Sequence, residues 1–367
     1  MKPNIRRILF TVTNDLSYDQ RMIRIASSLA GKGLDVLLIG RQKKTSVPLE
    51  AKPFRQHRFK MWFQKGKLFY LEYNLRLFFF LLLHPFDLVG SVDLDTLLPC
   101  YLAARLKRKK CYYDAHEYFT EVPEVIDRPL VKFIWGFIGK LIIPHVDKAY
   151  TVSASLQKLF SKQYGLSFGL IRNLPLLRDS SETRSASLPG KVLLYQGVLN
   201  KGRGLEKTIE AMVHLPEIEF WLAGEGDLSR ELRELVRLLQ LEDRVRFLGY
   251  LSPDVLQKTT RKATIGLNLL EHLGQSYYYS LANKTFDYIH AGVPALHSNF
   301  PEYRLLNEEW EMGILLEGID VSQIVNAIQS LLSGPQKYQQ LVKNCLRAKK
   351  VLNWEKEEKE LFRIYEV

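Results

Sequence analysis

Two stretches of the sequence gather groups suited to holding a phosphate. In the first, Gly197-Val198-Leu199-Asn200-Lys201-Gly202-Arg203-Gly204 follows an apolar run and precedes a helical pattern. Its three glycines permit close backbone approach, the helix start offers free N–H groups, and Lys201 and Arg203 add positive charge, a set that suits a phosphate or diphosphate. The spacing is neither a Walker loop nor G-x-G-x-x-G, and a tight turn with solvated cations would use the same residues. In the second, residues 280–288 read SLANKTFDY. With a helix starting near Ala282, Asn283 and Lys284 fall in its first turn, where amides and an ammonium can meet phosphate. Asp287 lies one turn on, placed to accept two hydroxyls of a ribose. A capped helix with an exposed Lys284–Asp287 pair is the alternative.

Three further constellations carry chemistry. Asp114, His116, Glu117 and Glu121 stand just after an apolar run and offer acid–base or hydrogen-bonding groups, although Asp114 and Glu117 would also serve as a helix cap and its first turn. His57, His84, His145 and His214 take the ordinary structural reading. Asp93-Leu94-Asp95 is a D-x-D, but two carboxylates without a nearby histidine favour a loop or cap over a divalent-metal site, so no metal is expected. Residues 54–83 interleave Arg55, Arg58, Lys60, Lys65 and Lys67 with Trp62 and many other aromatics. That pattern suits anionic lipid headgroups or single-stranded nucleic acid, while a core helix with a solvated basic face accounts for residues 75–83.

These groups need elements to position them. Apolar, β-prone runs at residues 7–12, 34–39, 86–89, 110–113 and 149–152 alternate with helical spacing, first over residues 19–30. The alternation argues for a parallel sheet covered on both faces, a doubly wound α/β domain. Residues 176–190, rich in serine and charge, read as a linker, and the rhythm then restarts with strands at 191–196, 218–223, 245–248, 265–269 and 294–297. The expected division is 1–175, a linker at 176–190, 191–345, and helices over 346–367 that pack back toward the first domain. Two such sheets would place their loop-borne chemistry at a shared interdomain cleft.

Length and charge agree. A chain of 367 residues suits two domains, and 46% apolar with 25% charged residues excludes disordered and collagenous classes. Up to Pro175 the chain has 28 basic and 14 acidic residues; beyond it, 24 and 26. The excess therefore belongs to the first half, as a surface for a negative partner would require. Cys100, Cys111 and Cys345 form no metal-ligand pattern and suit a reducing, cytoplasmic compartment. The first residues lack the apolar length and cleavage site of a signal peptide, and the longest apolar run, residues 77–83, is far below the roughly 20 residues of a spanning helix.

In combination and order, YDAHE at 113–117, YQG with KGRG at 195–204, AGEG at 223–226 and SLANKTFDYIHAG at 280–292 resemble the retaining glycosyltransferases of family 4, with an Asn-Lys-x-Phe-Asp-Tyr variant of their motif. The resemblance spans essentially the whole chain. It implies the GT-B fold, two Rossmann-like domains facing a nucleotide-sugar cleft with a final helix returning to the first. It further implies a nucleotide diphosphate sugar donor, UDP- or GDP-linked, and no cofactor.

On this likeness Arg203 and Lys284 hold the donor diphosphate with His116 near its sugar, the three forming the catalytic set. Gly197, Asn200, Lys201, Gly202, Gly224, Gly226, Asn283 and Thr285 line the donor, and Asp287 takes the ribose. Asn14, Asp15, Asp19, Arg21 and Glu117 stand on the acceptor side. Arg55, Arg58, Lys60, Trp62, Lys65 and Lys67 would meet an anionic membrane. The family's first acid of a glutamate pair falls here at Tyr279, and its usual basic residue after the first glycine at Val198.

The implied activity is hexose transfer to a glycan, lipid-linked, in bacterial surface polysaccharide synthesis, by a cytoplasmic protein peripheral on the membrane's inner face. A nucleotide-sugar 2-epimerase and a non-catalytic nucleotide-sugar binder are the alternatives. Nucleic acid is not an expected partner.

Overall fold

The computed structural model describes residues 5–178 and 191–367. Most of the expected linker, residues 179–190, lies outside the described residues. The chain divides into two units, Met1–Asn173 with Glu357–Val367, and Leu174–Lys356.

Unit 1 is built on a parallel sheet of seven strands: β1 (Arg7–Thr11), β2 (Asp35–Gln42), β3 (Arg55–Lys60), β4 (Leu88–Val92), β5 (Lys110–Ala115), β6 (Lys148–Thr151) and β7 (Phe168–Leu170). Their order is β3-β2-β1-β4-β5-β6-β7, so the winding reverses beside β1. Helix α1 (Gln20–Gly31) starts where the Asp19 carboxylate accepts the Met22 amide at 3.0 Å. It buries Met22, Ile25, Ala26 and Leu29, the spacing of one helical face. Helices α2 (Gly66–Leu83), α3 (Leu97–Lys107) and α4 (Pro129–Ile142) follow.

Unit 2 has a parallel sheet of six strands: β8 (Val192–Gln196), β9 (Glu219–Ala223), β10 (Val245–Gly249), β11 (Ile265–Asn268), β12 (Ala295–Ser298) and β13 (Gly313–Leu316). The order is β10-β9-β8-β11-β12-β13. Its helices include α5 (Leu205–Ala211), α6 (Asn283–Ala291) and α7 (Pro335–Lys349). Each unit is thus a doubly wound α/β sheet, and each sheet's loop chemistry sits at its strand C-terminal ends. Strands β3, β7 and β13, which the periodicity does not reveal, are all sheet edges.

The expected boundary at residue 346 is corrected. In α7, Cys345 and Ala348 pack with Leu352, Phe286 and Tyr303 in a core of unit 2, so the chain leaves that unit only at Glu357. The last helix, α8 (Trp354–Tyr365), begins in unit 2 and ends in unit 1. Within unit 1 the Glu357 carboxylate accepts the Arg172 backbone and guanidinium N–H groups, each at 2.7 Å. Glu358 accepts the Ser28 hydroxyl at 2.7 Å. Tyr365 is fully buried, its hydroxyl 3.0 Å from that of Tyr150 and its ring against Phe10 and Tyr112.

Tyr365→Ala should therefore destabilise unit 1 by about 3–5 kcal/mol, and Tyr365→Phe by about 1 kcal/mol, in urea unfolding. An unchanged midpoint in Tyr365→Ala would show that the helix end is not part of that core.

Candidate functional site

In unit 2 the loops after β8 and β9 run in backbone contact. The Gly197 amide donates to the Ala223 carbonyl at 2.9 Å, and the Leu199 amide to Glu225 at 3.2 Å. Gly224 has φ 140°, and a Cβ there would collide with the Gly197 carbonyl. A Cβ on Gly226 would stand 2.5 Å from the Leu199 carbonyl. Only glycine fits this contact. Asn200 braces it, its side-chain oxygen accepting the Asp227 amide at 3.2 Å.

The contact leaves room for Lys284. From the first turn of α6 its ammonium lies 3.5 Å from where a Cβ on Gly197 would stand and 3.9 Å from the centre of the Tyr195 ring, with the residue only 8% exposed. The Tyr195 hydroxyl in turn donates to the Val198 carbonyl at 2.7 Å. Burial first, and the Arg203 guanidinium second, push Lys284 well below the ordinary lysine range, against a smaller opposing pull from Asp287. Among the described residues no carboxylate stands within ion-pair distance of its ammonium. Arg203 lies over the Tyr277 ring at 4.6 Å, with its Nε buried and unbonded. Helix α6 has no side-chain cap at its N-terminus. Two cations therefore converge beside a helix start that no side chain caps, and Lys201 is exposed. A bound polyanion would satisfy all of them.

Asp287 is fixed from behind: Gln196 Nε2 donates to its carboxylate at 2.7 Å, and Thr260 donates to Gln196 at 2.7 Å. A second support holds the start of α6. Asn268 donates to Thr285 at 3.1 Å and lies 3.3 Å from His297 Nδ1. His297, fully buried, is pushed down to about 3 by burial and by Lys284, so its ring stays neutral. It stacks on Tyr303, whose hydroxyl accepts the Ala282 amide at 3.2 Å. Sequence reasoning missed Gln196, Asn268, His297 and Tyr303. The signal was a polar residue at or near the C-terminal end of otherwise apolar strands, in Gln196, Asn268 and His297. Tyr279 packs edge-on against Tyr278 and supplies no acid.

In unit 1 the loops after β1, β4 and β5 meet. Thr13 donates to Asp95 at 2.5 Å, and Asp93 accepts the His116 amide at 2.9 Å. The two carboxyls of the D-x-D thus brace different loops. Burial, then the nearby Glu117, Asp95 and Asp114, push Asp93 well above the carboxylate range, and burial lifts Asp95 to about 6. Half-buried His116 is held neutral by burial and by Arg21.

Several expected contacts are corrected here. Arg21, 3% exposed, clamps Asp114 through two hydrogen bonds of 3.0 and 2.8 Å and donates to the Ile171 carbonyl, which leaves it no reach to an acceptor. Asp15 accepts from Ser17, Ser46 and Arg58, and these bonds outweigh burial and hold its carboxyl below the ordinary range. Asp19 accepts from Asn14 at 2.7 Å and caps α1. Asn14 and Glu117 are exposed. Of the expected membrane contacts, Arg58 is spent on Asp15 and Arg55 on Asp35, while Lys60, Trp62, Lys65 and Lys67 are exposed.

Residues 20–175 match the family model described as Glycosyltransferase Family 4, and residues 179–347 that described as Glycosyl transferases group 1. Together they make the chain, by family, a GT-B glycosyltransferase. The fold is similar to sucrose-phosphate synthase from Thermosynechococcus elongatus, with TM-score 0.79 and 19% identity over 98% of each chain. Anabaena HepE, solved in complex with UDP and glucose, gives TM-score 0.77 and 16% identity over 98% of this chain and 99% of that one. The lipopolysaccharide core biosynthesis glycosyltransferase LpsE of Rhizobium meliloti (strain 1021) is 23% identical over 142 residues. That match spans 39% of this chain and 39% of the relative's length.

Burial and Arg203 make the Lys284 ammonium give up its proton more readily, and a bound polyanion opposes that loss. Affinity for pyrophosphate should therefore fall as pH rises toward the ordinary lysine range, with proton uptake on binding, and Lys284→Met should lose the uptake and much of the affinity. Calorimetry in buffers of different ionisation enthalpy reads this. Equal uptake in both proteins would remove Lys284 from the anion site.

Proposed function

We propose that the protein is a metal-independent, retaining hexosyltransferase that takes a sugar from a nucleoside diphosphate donor, UDP- or GDP-linked. Its acceptor is a lipid-linked glycan of bacterial surface polysaccharide, met at the inner face of the cytoplasmic membrane. The observation that carries the reading is the convergence of Lys284 and Arg203 on the uncapped start of α6. As the glycosidic bond breaks, the leaving diphosphate gains negative charge, and these groups stabilise it where water is largely excluded. Lys201, exposed nearby, adds to the field, and Asp287, oriented by Gln196, takes the ribose hydroxyls. Asn200, Gly197, Gly202, Gly224, Gly226 and Thr285 shape the loops around them. The departing phosphate takes the acceptor proton on the same face, and neutral His116 positions the sugar. HepE with UDP and glucose, and LpsE in lipopolysaccharide core synthesis, support the donor and acceptor classes by likeness.

A thermal-shift panel of UDP-, GDP-, ADP- and dTDP-sugars should single out one donor. With it, Arg203→Ala and Lys284→Ala should each lower transfer by about a hundredfold or more. Full transfer by both variants would contradict the phosphate assignment, and donor binding without any turnover would make the protein a nucleotide-sugar binder in which Tyr279 replaces the missing acid.

A further inference from the structure

Helix α4 of unit 1 is inverted relative to an ordinary surface helix. Its fully buried residues are only Gly139 and Ile142, while Leu130, Phe133, Ile134, Phe137 and Leu141 all face outward, Phe133 at 69% exposure. Their spacing of three, four, seven and eleven residues from Leu130 draws one continuous apolar stripe. Two neighbouring helices do the same. Leu71, Leu75 and Phe79 of α2, and Leu98, Leu102 and Leu106 of α3, are exposed at helical intervals. The three helices form one face, for α2 packs on α3 and α3 on α4, and Tyr70 of α2 meets Trp135 of α4 at 5.7 Å. Thirteen of the 26 large apolar side chains exposed among the described residues lie on these three helices.

We infer that this α2–α3–α4 face of unit 1 docks on an anionic lipid bilayer. A soluble monomer rarely exposes so much contiguous apolar surface, so a partner covers it, and charge identifies which. The three helices carry Lys67, Arg76, Arg105, Lys107, Lys132 and Lys140 against the single acid Glu72; Lys132 also pairs with Glu121 and Lys107 with carbonyls at the end of α2, so exposed Lys67 and Lys140 lead the charge left to a partner. Glu72 is itself spent on Arg76 and on the Trp62 and Phe63 amides. A second copy docked by a two-fold would set cations against cations, whereas lipid phosphates complement them. Trp62, 83% exposed beside Arg76, has the amphipathic ring favoured at headgroup depth. Among the described residues no helix is long and apolar enough to cross a membrane, so the helices lie on the bilayer rather than through it.

The face is joined to the acceptor loop. Trp135 also packs against Phe119 at 5.5 Å, and Lys132 pairs with Glu121 at 2.5 Å, both in the segment just after His116. A bilayer seated there would present a lipid-borne acceptor beside that loop. This consequence rests on the transferase reading; the docking itself does not.

Co-sedimentation of the full chain with phosphatidylcholine vesicles, with and without phosphatidylglycerol, tests it. The protein should bind the anionic vesicles, less so at high salt, and Phe133→Glu/Phe137→Glu should weaken binding by about tenfold or more. Leu71→Glu/Leu75→Glu, a second lesion on the same face, should do likewise, and Leu238→Glu on the exposed surface of unit 2 should not. A thermal shift with the donor sugar, retained in all variants, shows that they fold and keeps the two readings separate. Vesicle binding unchanged in both double variants, equal binding to neutral vesicles, or a solution dimer that the double variants dissolve would each overturn the inference.

Discussion

A cation buried without a counter-ion governs the organisation of unit 2. Taking an ammonium out of water costs several kcal/mol unless something replaces the water, and Lys284 sits at the start of a helix, where the dipole also opposes positive charge. The Tyr195 ring face offsets part of this cost, and Arg203 adds to it. The surrounding residues keep the cation in place rather than neutralise it. Gly197 leaves space for it, Gly224 and Gly226 let the loops after β8 and β9 touch, and Gln196 holds Asp287 from behind. Asn268, His297 and Tyr303 fix the turn from which the helix starts. Such a site is costly to fold, and an anion bound there would offset part of that cost.

Unit 1 shows the complementary arrangement. Its strand ends carry buried carboxyls whose ionisation is opposed, Asp93 and Asp95, beside a fully paired one, Asp114. Their hydrogen bonds stitch the loops after β1, β4 and β5 into one rigid platform, with His116 neutral on top. The basic excess of this half is spent in two ways. Arg21, Arg55 and Arg58 close ion pairs that hold loops and strands together. On α2 and α4, Arg76 and Lys132 are likewise paired, while Lys67 and Lys140 stand exposed on helices that carry apolar stripes.

Central strands are legible in the sequence because burial on both faces makes them continuous apolar runs, as in β1, β4 and β8. Three of the four edge strands escape, while β10, at the other edge of its sheet, is legible. β3, with the sequence RQHRFK, reads as a basic surface, and β7 and β13 are too short to show a period. Arg203 and Lys284 stand out in the sequence because glycines and a helix start flank them. The polar residues behind them do not, since one histidine or asparagine in an apolar strand resembles an ordinary core position until Tyr303 and Thr285 are seen beside it. Acidic and basic residues around the loop after β1, Asp15 and Arg21 above all, look free in the sequence because nothing in it reveals an ion pair across 43 or 93 residues.

The most direct test of the donor site is a crystal structure of the protein with a nucleoside diphosphate bound. The diphosphate oxygens are expected within about 3 Å of Lys284 Nζ, the Arg203 guanidinium and the first amides of α6, with the ribose against Asp287. A diphosphate bound elsewhere, with Lys284 still packed on Tyr195 and facing no anion, would contradict the assignment.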